Sequence, residues 1–399
     1  MKKLRVLIIH NYYQIPGGED TVVENESSML RENGHEITFY TRHNKEIDQR
    51  GILGSMGLIF ETIFSVKTYM EVRKIIKRRN IDIVHVHNTL PLISPSVYYA
   101  AFSCNIPVVQ TIHNFRFICP GGTLTKNNRI CEDCIQEGLR CALKNKCYRK
   151  SFLHTLLITF MLIIHRTIGT YNRINGYIAL TEFNKNKLLE VVKDKNKIFV
   201  KPNFAKVQNN ISIPRSPENY FVYIGRLDKL KGINLLVDAW KDIKNTQLYI
   251  IGDGPERIFI DKFIQENKIT NIKLCGHMER NLAFKIIAKS KAVILASQCY
   301  EGFPMTIVEA FSLGVPVICG DIGNLSFIIK DNENGLHFKY NNKNDLIAKI
   351  KILLEDEELN IRLSNGALSS FNDYYTDVSN HIKVEEIYNK IICDYNPYY

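Results

Sequence analysis

No stretch of the 399-residue sequence stays apolar for the roughly 20 residues that a bilayer-spanning helix needs. Leu4–Ile9 is apolar only for the length of a strand, and no cleavage-site pattern follows it. A secretory signal is therefore not read here, and the cytoplasm is the expected location. A G-x-G-x-x-G turn is also missing, which lowers the chance of ordinary dinucleotide binding. Zinc-finger and RNA-binding signatures and basic–aromatic repeats are lacking too, so no nucleic acid is expected as a partner. No solenoid-type repeat appears.

Acidic residues are scarce in one half only. Residues 1–205 hold 29 Lys+Arg against 17 Asp+Glu, a net +12, while residues 206–399 hold 23 against 24, a net −1. A basic half suits an anionic substrate or an anionic membrane surface. Two apolar stretches lie in it: Gly51–Val66, which runs into Arg73, Lys74, Lys77, Arg78 and Arg79, and Phe152–Ile164, followed by His165 and Arg166. Both suit amphipathic helices lying on a bilayer, giving a peripheral location at the inner face of the membrane. The alternative is two core-packed helices with solvated basic faces. Hydrophobic content of 45% and charged content of 23% are those of a globular protein, and the length suits two domains.

What is present is a repeated alternation of short apolar runs with helical stretches. Leu4–His10, Glu36–Tyr40, Ile81–His87, Pro107–His113 and Gly176–Leu180 read as strands of a first parallel sheet. Tyr220–Arg226, Gln247–Gly252, Asn271–Met278, Ala292–Ser297, Val315–Cys319 and Gly335–Phe338 read as strands of a second. Ligands bind at the carboxyl ends of such strands, where His87 and His113 fall. Gly17-Gly18 opens a helix that runs to about Glu32. Glycines there let a backbone approach closely, and helix N-termini attract phosphate. Polar residues 206–219, with Pro214 and Pro217, have the composition of a linker.

The densest motif is Glu301-Gly-Phe-Pro-Met-Thr-Ile-Val-Glu309. It lies between two buried strands, with a helix from Met305 to Leu313 ending near Gly314. Two carboxylates beside a helix start suit a ligand that offers both hydroxyls and phosphates, as a nucleoside-diphosphate sugar does. Gly225-Arg226…Lys231-Gly232 adds two cations at one strand–helix junction, suited to a diphosphate.

Glu301…Glu309 resembles the E-x7-E signature of the retaining glycosyltransferases of family 4 ("glycosyl transferases group 1"). Gly225-Arg226…Lys231-Gly232 resembles their G-R-x4-K-G motif. Gly17-Gly18, Thr111-Ile-His113, the Lys201-Pro-Asn-Phe204 turn and Gly252-Asp-Gly-Pro255 are similar to further family elements, so the likeness covers nearly the whole chain. It implies an α/β protein of GT-B fold: two doubly wound Rossmann-like domains facing a central cleft. Residues 1–205 would be the acceptor-binding domain, 206–375 the nucleotide-sugar domain, and 376–399 a helix packing back toward the first domain. The family roles would give Arg226 and Lys231 the leaving diphosphate, with the N–H groups near Met305 and Thr306 and the Gly17-Gly18 loop completing the anion site. Gly225, Gly252, Gly302 and Phe303 would line the donor pocket. Glu309 would take the ribose hydroxyls, Glu301 the hydroxyls of the transferred sugar, and His113 the region of its anomeric carbon. Asn114 stands where many relatives have aspartate, so a general base is not assigned there.

The activity implied is metal-independent transfer of a sugar from a nucleoside-diphosphate sugar, UDP-sugar foremost, with retention of configuration. The expected acceptor is a glycan, polyprenyl-linked in capsule or exopolysaccharide assembly. A GT-B nucleotide-sugar epimerase and a non-catalytic binding subunit of a polysaccharide assembly complex are the alternatives.

Residues 114–149 follow no such pattern and contain five of the ten cysteines. Cys119, Cys131, Cys134 and Cys147 give C-x11-C-x2-C-x12-C, spacings that suit a tetrahedral structural zinc site stapling a long loop. Cys141 stands as an alternative ligand for Cys119 or Cys147, and a set of reduced thiols without metal is the other reading. The segment follows His113, so acceptor specificity is expected in it.

Overall fold

The computed structural model describes residues 3–14, 17–48, 52–206 and 217–395. The chain forms two compact units. The first comprises Met1–Leu124, Cys131–Pro202 and Asp377–Tyr399; the second comprises Thr125–Ile130 and Asn203–Thr376.

In the first unit, β1 (Arg5–Tyr12), β2 (Glu36–His43), β3 (Ile83–Val86) and β4 (Val108–Ile112) precede the short antiparallel hairpin β5 (Thr125–Lys126) and β6 (Arg129–Ile130), which groups with the second unit. Strands β7 (Gly176–Ala179) and β8 (Ile198–Val200) complete the first sheet, in the parallel order β2-β1-β3-β4-β7-β8. Strands β3, β4 and β7 are buried along their whole length, as expected for β-branched and apolar runs covered by helices on both faces. The Asp377–Tyr395 helix belongs to this unit. Its Asn380 side chain donates to the Pro202 carbonyl at 2.6 Å and accepts from Lys201 Nζ at 2.9 Å.

In the second unit, β9 (Tyr220–Ile224), β10 (Gln247–Ile251), β11 (Ile272–Gly276), β12 (Ala292–Leu295), β13 (Val317–Gly320) and β14 (Gly335–Phe338) form a parallel sheet in the order β11-β10-β9-β12-β13-β14. That order reverses direction beside β9, so the β9 and β12 ends flank the crevice in which doubly wound sheets bind ligands. The Met305–Ser312 helix ends as its glycine predicts: Gly314 takes φ +65°, and Val315 N–H donates back to Ala310 O at 3.0 Å.

The two-sheet α/β reading holds, with differences in detail. Strand β8 has no predicted counterpart, because three residues carry too short a period to read. The apolar stretch at residues 51–66 is not one helix. A helix at Ile52–Ile63 stops, and Ser65 caps a new one at Val66–Arg79 by accepting from Thr68 N–H at 3.2 Å. Gly51 itself, Pro16 and most of the expected linker, residues 207–216, lie outside the described residues.

Candidate functional site

In the second unit the predicted site residues Arg226, Lys231 and Glu301 stand after the carboxyl ends of β9 and β12. Glycines permit this crowding. Gly232 has φ +70°, and a Cβ there would lie 1.7 Å from Ala296 O; a Cβ on Gly252 would lie 2.0 Å from Gly225 O. The strand-end turns are therefore pressed backbone to backbone, which presents Lys231 to the β12 loop. Lys231 Nζ donates to both oxygens of Glu301, at 2.8 and 2.7 Å, and Ser297 Oγ donates to Glu301 Oε1 at 2.6 Å. Burial works against the Lys231 ammonium, but the Glu301 carboxylate outweighs it and raises the pKa above the ordinary lysine value. Lys231 still keeps 38% of its side chain exposed, so the cation faces solution on one side. Arg226 is freer: its side chain is 61% exposed, with Asp228 3.9 Å away.

The loop between the two glutamates is clamped by Asn324, whose amide donates to Gly302 O at 2.7 Å and also to Glu301 O. Phe303 is buried with its ring edge toward Tyr375, so in this position its side chain is part of the core. Pro304 caps the Met305–Ser312 helix without a side-chain hydrogen bond, leaving the first turn at Met305 and Thr306 for a ligand to complete. Glu309 pairs with Arg280 at 2.8 Å; burial raises its pKa and Arg280 opposes that. Ser297, Asn324 and Arg280 were not among the predicted site residues. Arg280 and Glu309 are 29 residues apart on separate helices, a relation that no local period signals.

The first unit holds a buried polar cluster at its strand ends. His113 and His87 stack, and His87 Nδ1 lies 2.9 Å from His113 Nε2, so one proton is shared between the rings. Beneath them Glu26 pairs with Lys201 at 2.7 Å and with His85 at 3.1 Å, while His85 reaches Tyr388 at 2.6 Å and Thr111 at 2.7 Å. Burial pushes the Glu26 carboxyl up, but Lys201 and then His85 overcome it and hold it well below the usual range. Burial lowers His113 to about 3, helped by the neighbouring His10, so the ring is neutral. The strand pattern located His87 and His113; it did not reveal Glu26 and Lys201, which meet across 175 residues.

The Gly17-Gly18 loop opens the Gly18–Glu32 helix. Gly17 N–H donates to Asp20 Oδ2 at 3.0 Å, and Asp20 also lies 2.8 Å from His10 Nε2.

Among the described residues, three or more His, Cys, Asp or Glu ligand atoms come within 4.8 Å of one another at two places, Glu26–His85–His87 and His35–His381–Glu385. Lys201 already neutralises Glu26 in the first. Among the described residues no cysteine is in a disulfide, and the Cys141 thiol donates to Glu137 at 3.4 Å.

Two protein families match the chain: "Glycosyltransferase Family 4" over residues 16–208 and "Glycosyl transferases group 1" over residues 204–369. The N-acetyl-alpha-D-glucosaminyl L-malate synthase of Bacillus anthracis is 23% identical over 395 residues, covering 96% of each chain. An amylovoran biosynthesis glycosyltransferase of Erwinia amylovora is 25% identical, over 55% of this chain and 64% of its own. The solved Anabaena HepE structure, in complex with UDP and glucose, superposes with a TM-score of 0.67 at 16% identity, over 96% of this chain and 98% of that one.

Proposed function

Since the chain belongs to glycosyltransferase family 4, of GT-B fold, with relatives in glycan and polysaccharide biosynthesis, we propose that it transfers a sugar from a UDP-sugar to a lipid-linked glycan acceptor, with retention and without a metal ion. The observation that carries this reading is the second unit's strand-end constellation. Lys231 and Arg226 stand at the β9 junction, the open first turn of the Met305–Ser312 helix is close in sequence, and Glu301 and Glu309 flank that turn.

In this reading Arg226, Lys231 and the N–H groups of Met305 and Thr306 hold the diphosphate, with the backbones of Gly225, Gly252, Gly302 and Phe303 lining its approach. Two cations and a helix start supply the charge stabilisation that a divalent ion would otherwise give. Glu309 accepts from the ribose hydroxyls and Glu301 from hydroxyls of the transferred sugar. Glu301 also holds Lys231 in place before the donor arrives, and the lysine retains a third N–H for phosphate. The bond from the anomeric carbon to the β-phosphate oxygen breaks, its electron pair leaving with UDP. The acceptor oxygen bonds to that carbon on the same face and gives its proton to the departing phosphate. Neutral His113 is assigned to the reacting end of the sugar, where it can donate or accept one hydrogen bond without adding charge.

The lipid-linked acceptor is favoured by an apolar face on the first unit. The Ile52–Ile63 and Phe152–Thr167 helices are tied by His165 Nε2, 3.0 Å from Ile63 O. Phe60 is 75% and Leu153 74% exposed there, with Ile59, Phe64, Phe152, Leu156 and Phe160 also uncovered. Basic residues of the Val66–Arg79 helix and Arg149 and Lys150 follow or precede these segments. No helix among the described residues is long and apolar enough to cross a membrane, so this face is read as docking on an anionic bilayer. Incubation with UDP-sugars and a polyprenyl-diphosphate-linked saccharide tests the proposal. Product formation with the donor's anomeric configuration supports it; an inverted product, or a changed sugar released without acceptor, overturns it.

A further inference from the structure

The segment between β4 and the Phe152–Thr167 helix builds little regular structure: two two-residue strands and helices of four and six residues, Asp133–Gln136 and Arg140–Asn145. Yet it is laid out around sulfur. Cys119 is buried, and the turn that follows it, Pro120-Gly121-Gly122, folds back on it, with Gly122 N–H donating to Cys119 O at 2.8 Å. Gly122 has φ +80°, a conformation that makes this wrap accessible. Cys134 shares a hydrogen bond with the Cys119 thiol, and Asp133 N–H donates to the Cys131 sulfur.

Cys147 arrives from the far end of the segment. A Cβ placed on Gly121 would lie 3.4 Å from Cys147 Cβ and 3.6 Å from Cys119 Sγ, so the two cysteines flank the same glycine. Backbone bonds fix the approach: Cys131 N–H to Leu124 O at 2.8 Å and Cys147 N–H to Ala142 O at 3.1 Å. Glu132, between Cys131 and Cys134, is anchored by Lys187 at 2.6 Å.

We propose that Cys119, Cys131, Cys134 and Cys147 bind one structural zinc ion that staples this segment onto the first unit. Cys141 is outside the set, because its thiol is turned to Glu137. Charge agrees: residues 114–150 contain eight Lys+Arg and three Asp+Glu, a surplus that suits the roughly two negative charges of zinc with four thiolates. Zn–S bonds of about 2.3 Å require sulfurs about 3.8 Å apart. The quartet is wider than that, with no three sulfurs within 4.8 Å of one another. Ligation therefore draws Cys131 and Cys147, both on non-helical residues, onto the Cys119–Cys134 pair.

Elemental analysis of the full chain, untagged and purified without chelator, tests this. The expected result is about one zinc per chain in wild type and in Cys141→Ser, falling below about 0.1 in Cys131→Ser/Cys134→Ser. Less than about 0.1 zinc in wild type after refolding with zinc overturns the proposal, as does stoichiometric iron with an iron–sulfur spectrum, or zinc retained in the double variant. If the double variant does not fold, cobalt replacement in wild type decides. Sulfur-to-cobalt charge transfer with tetrahedral d–d bands supports a four-thiolate site, and a six-coordinate nitrogen–oxygen spectrum excludes it.

Discussion

Lys231 Nζ sits 2.7 to 2.8 Å from both carboxylate oxygens of Glu301, a residue 70 positions later in the chain. Two family motifs that look independent in sequence thus meet as one ion pair. Removing the cation should cost catalysis more than folding, since the pair is partly open to water. Lys231→Ala should lower kcat/KM by about 10²–10³-fold, with an unchanged circular-dichroism spectrum. Lys231→Arg should recover part of the activity. Full activity in Lys231→Ala would remove this lysine from the diphosphate site.

Glu309 is held by Arg280 at 2.8 Å in a desolvated position. Charged hydrogen bonds to ribose contribute about 1.5–3 kcal/mol, so Glu309→Gln should raise the donor KM by about 10- to 100-fold. Initial rates against donor concentration measure this. An unchanged KM for the donor would show that the carboxylate does not hold ribose.

Acid should weaken the first unit through its histidines. Burial lowers His113 to about 3 and places His87 well below the ordinary value, whereas both titrate near 6.5 when unfolded. Between those limits the unfolded chain binds more protons, so stability is full above about pH 6.5 and falls as pH drops. Each histidine contributes at most about 1.4 kcal/mol per pH unit. Urea unfolding at pH 5 and 7.5 should show a smaller loss in His113→Asn than in wild type. An equal loss in both would mean that His113 is not held neutral.

Phe60 and Leu153 lie on exposed helix faces, so replacing them should leave folding within about 0.5 kcal/mol. Burial of each in a bilayer contributes about 1.5–3 kcal/mol. Phe60→Glu/Leu153→Glu should therefore reduce co-sedimentation with anionic vesicles by well over tenfold. Wild type that stays in the supernatant at low salt would end the membrane reading.

The sequence displayed what is local. Apolar runs located eleven of the twelve strands in the two main sheets, missing only the three-residue β8. Glycines marked turns such as Gly232 and Gly314, because backbone geometry there depends on a missing Cβ. It hid what depends on closure of the fold. Glu26 on the Gly18–Glu32 helix meets Lys201 only through the closed fold, and Arg280 and Asn324 carry no motif around them. The break at Ser65 was missed because the hydrophobic run continues through a cap that only one hydroxyl makes. Resemblance to a family supplied the roles expected of Glu301 and Glu309, and the structure adds the side chains that pair with them.

The most direct test of the account is a thermal-unfolding panel of wild type with UDP, GDP, dTDP, ADP and NAD, each with and without EDTA. A nucleoside diphosphate at 100 times its Kd should stabilise the chain by about 2.7 kcal/mol. The expected result is a rise in Tm with UDP that EDTA leaves unchanged and that Lys231→Ala abolishes. No rise with any nucleoside diphosphate, a rise with NAD alone, or a UDP effect lost to EDTA would contradict a metal-independent nucleotide-sugar site.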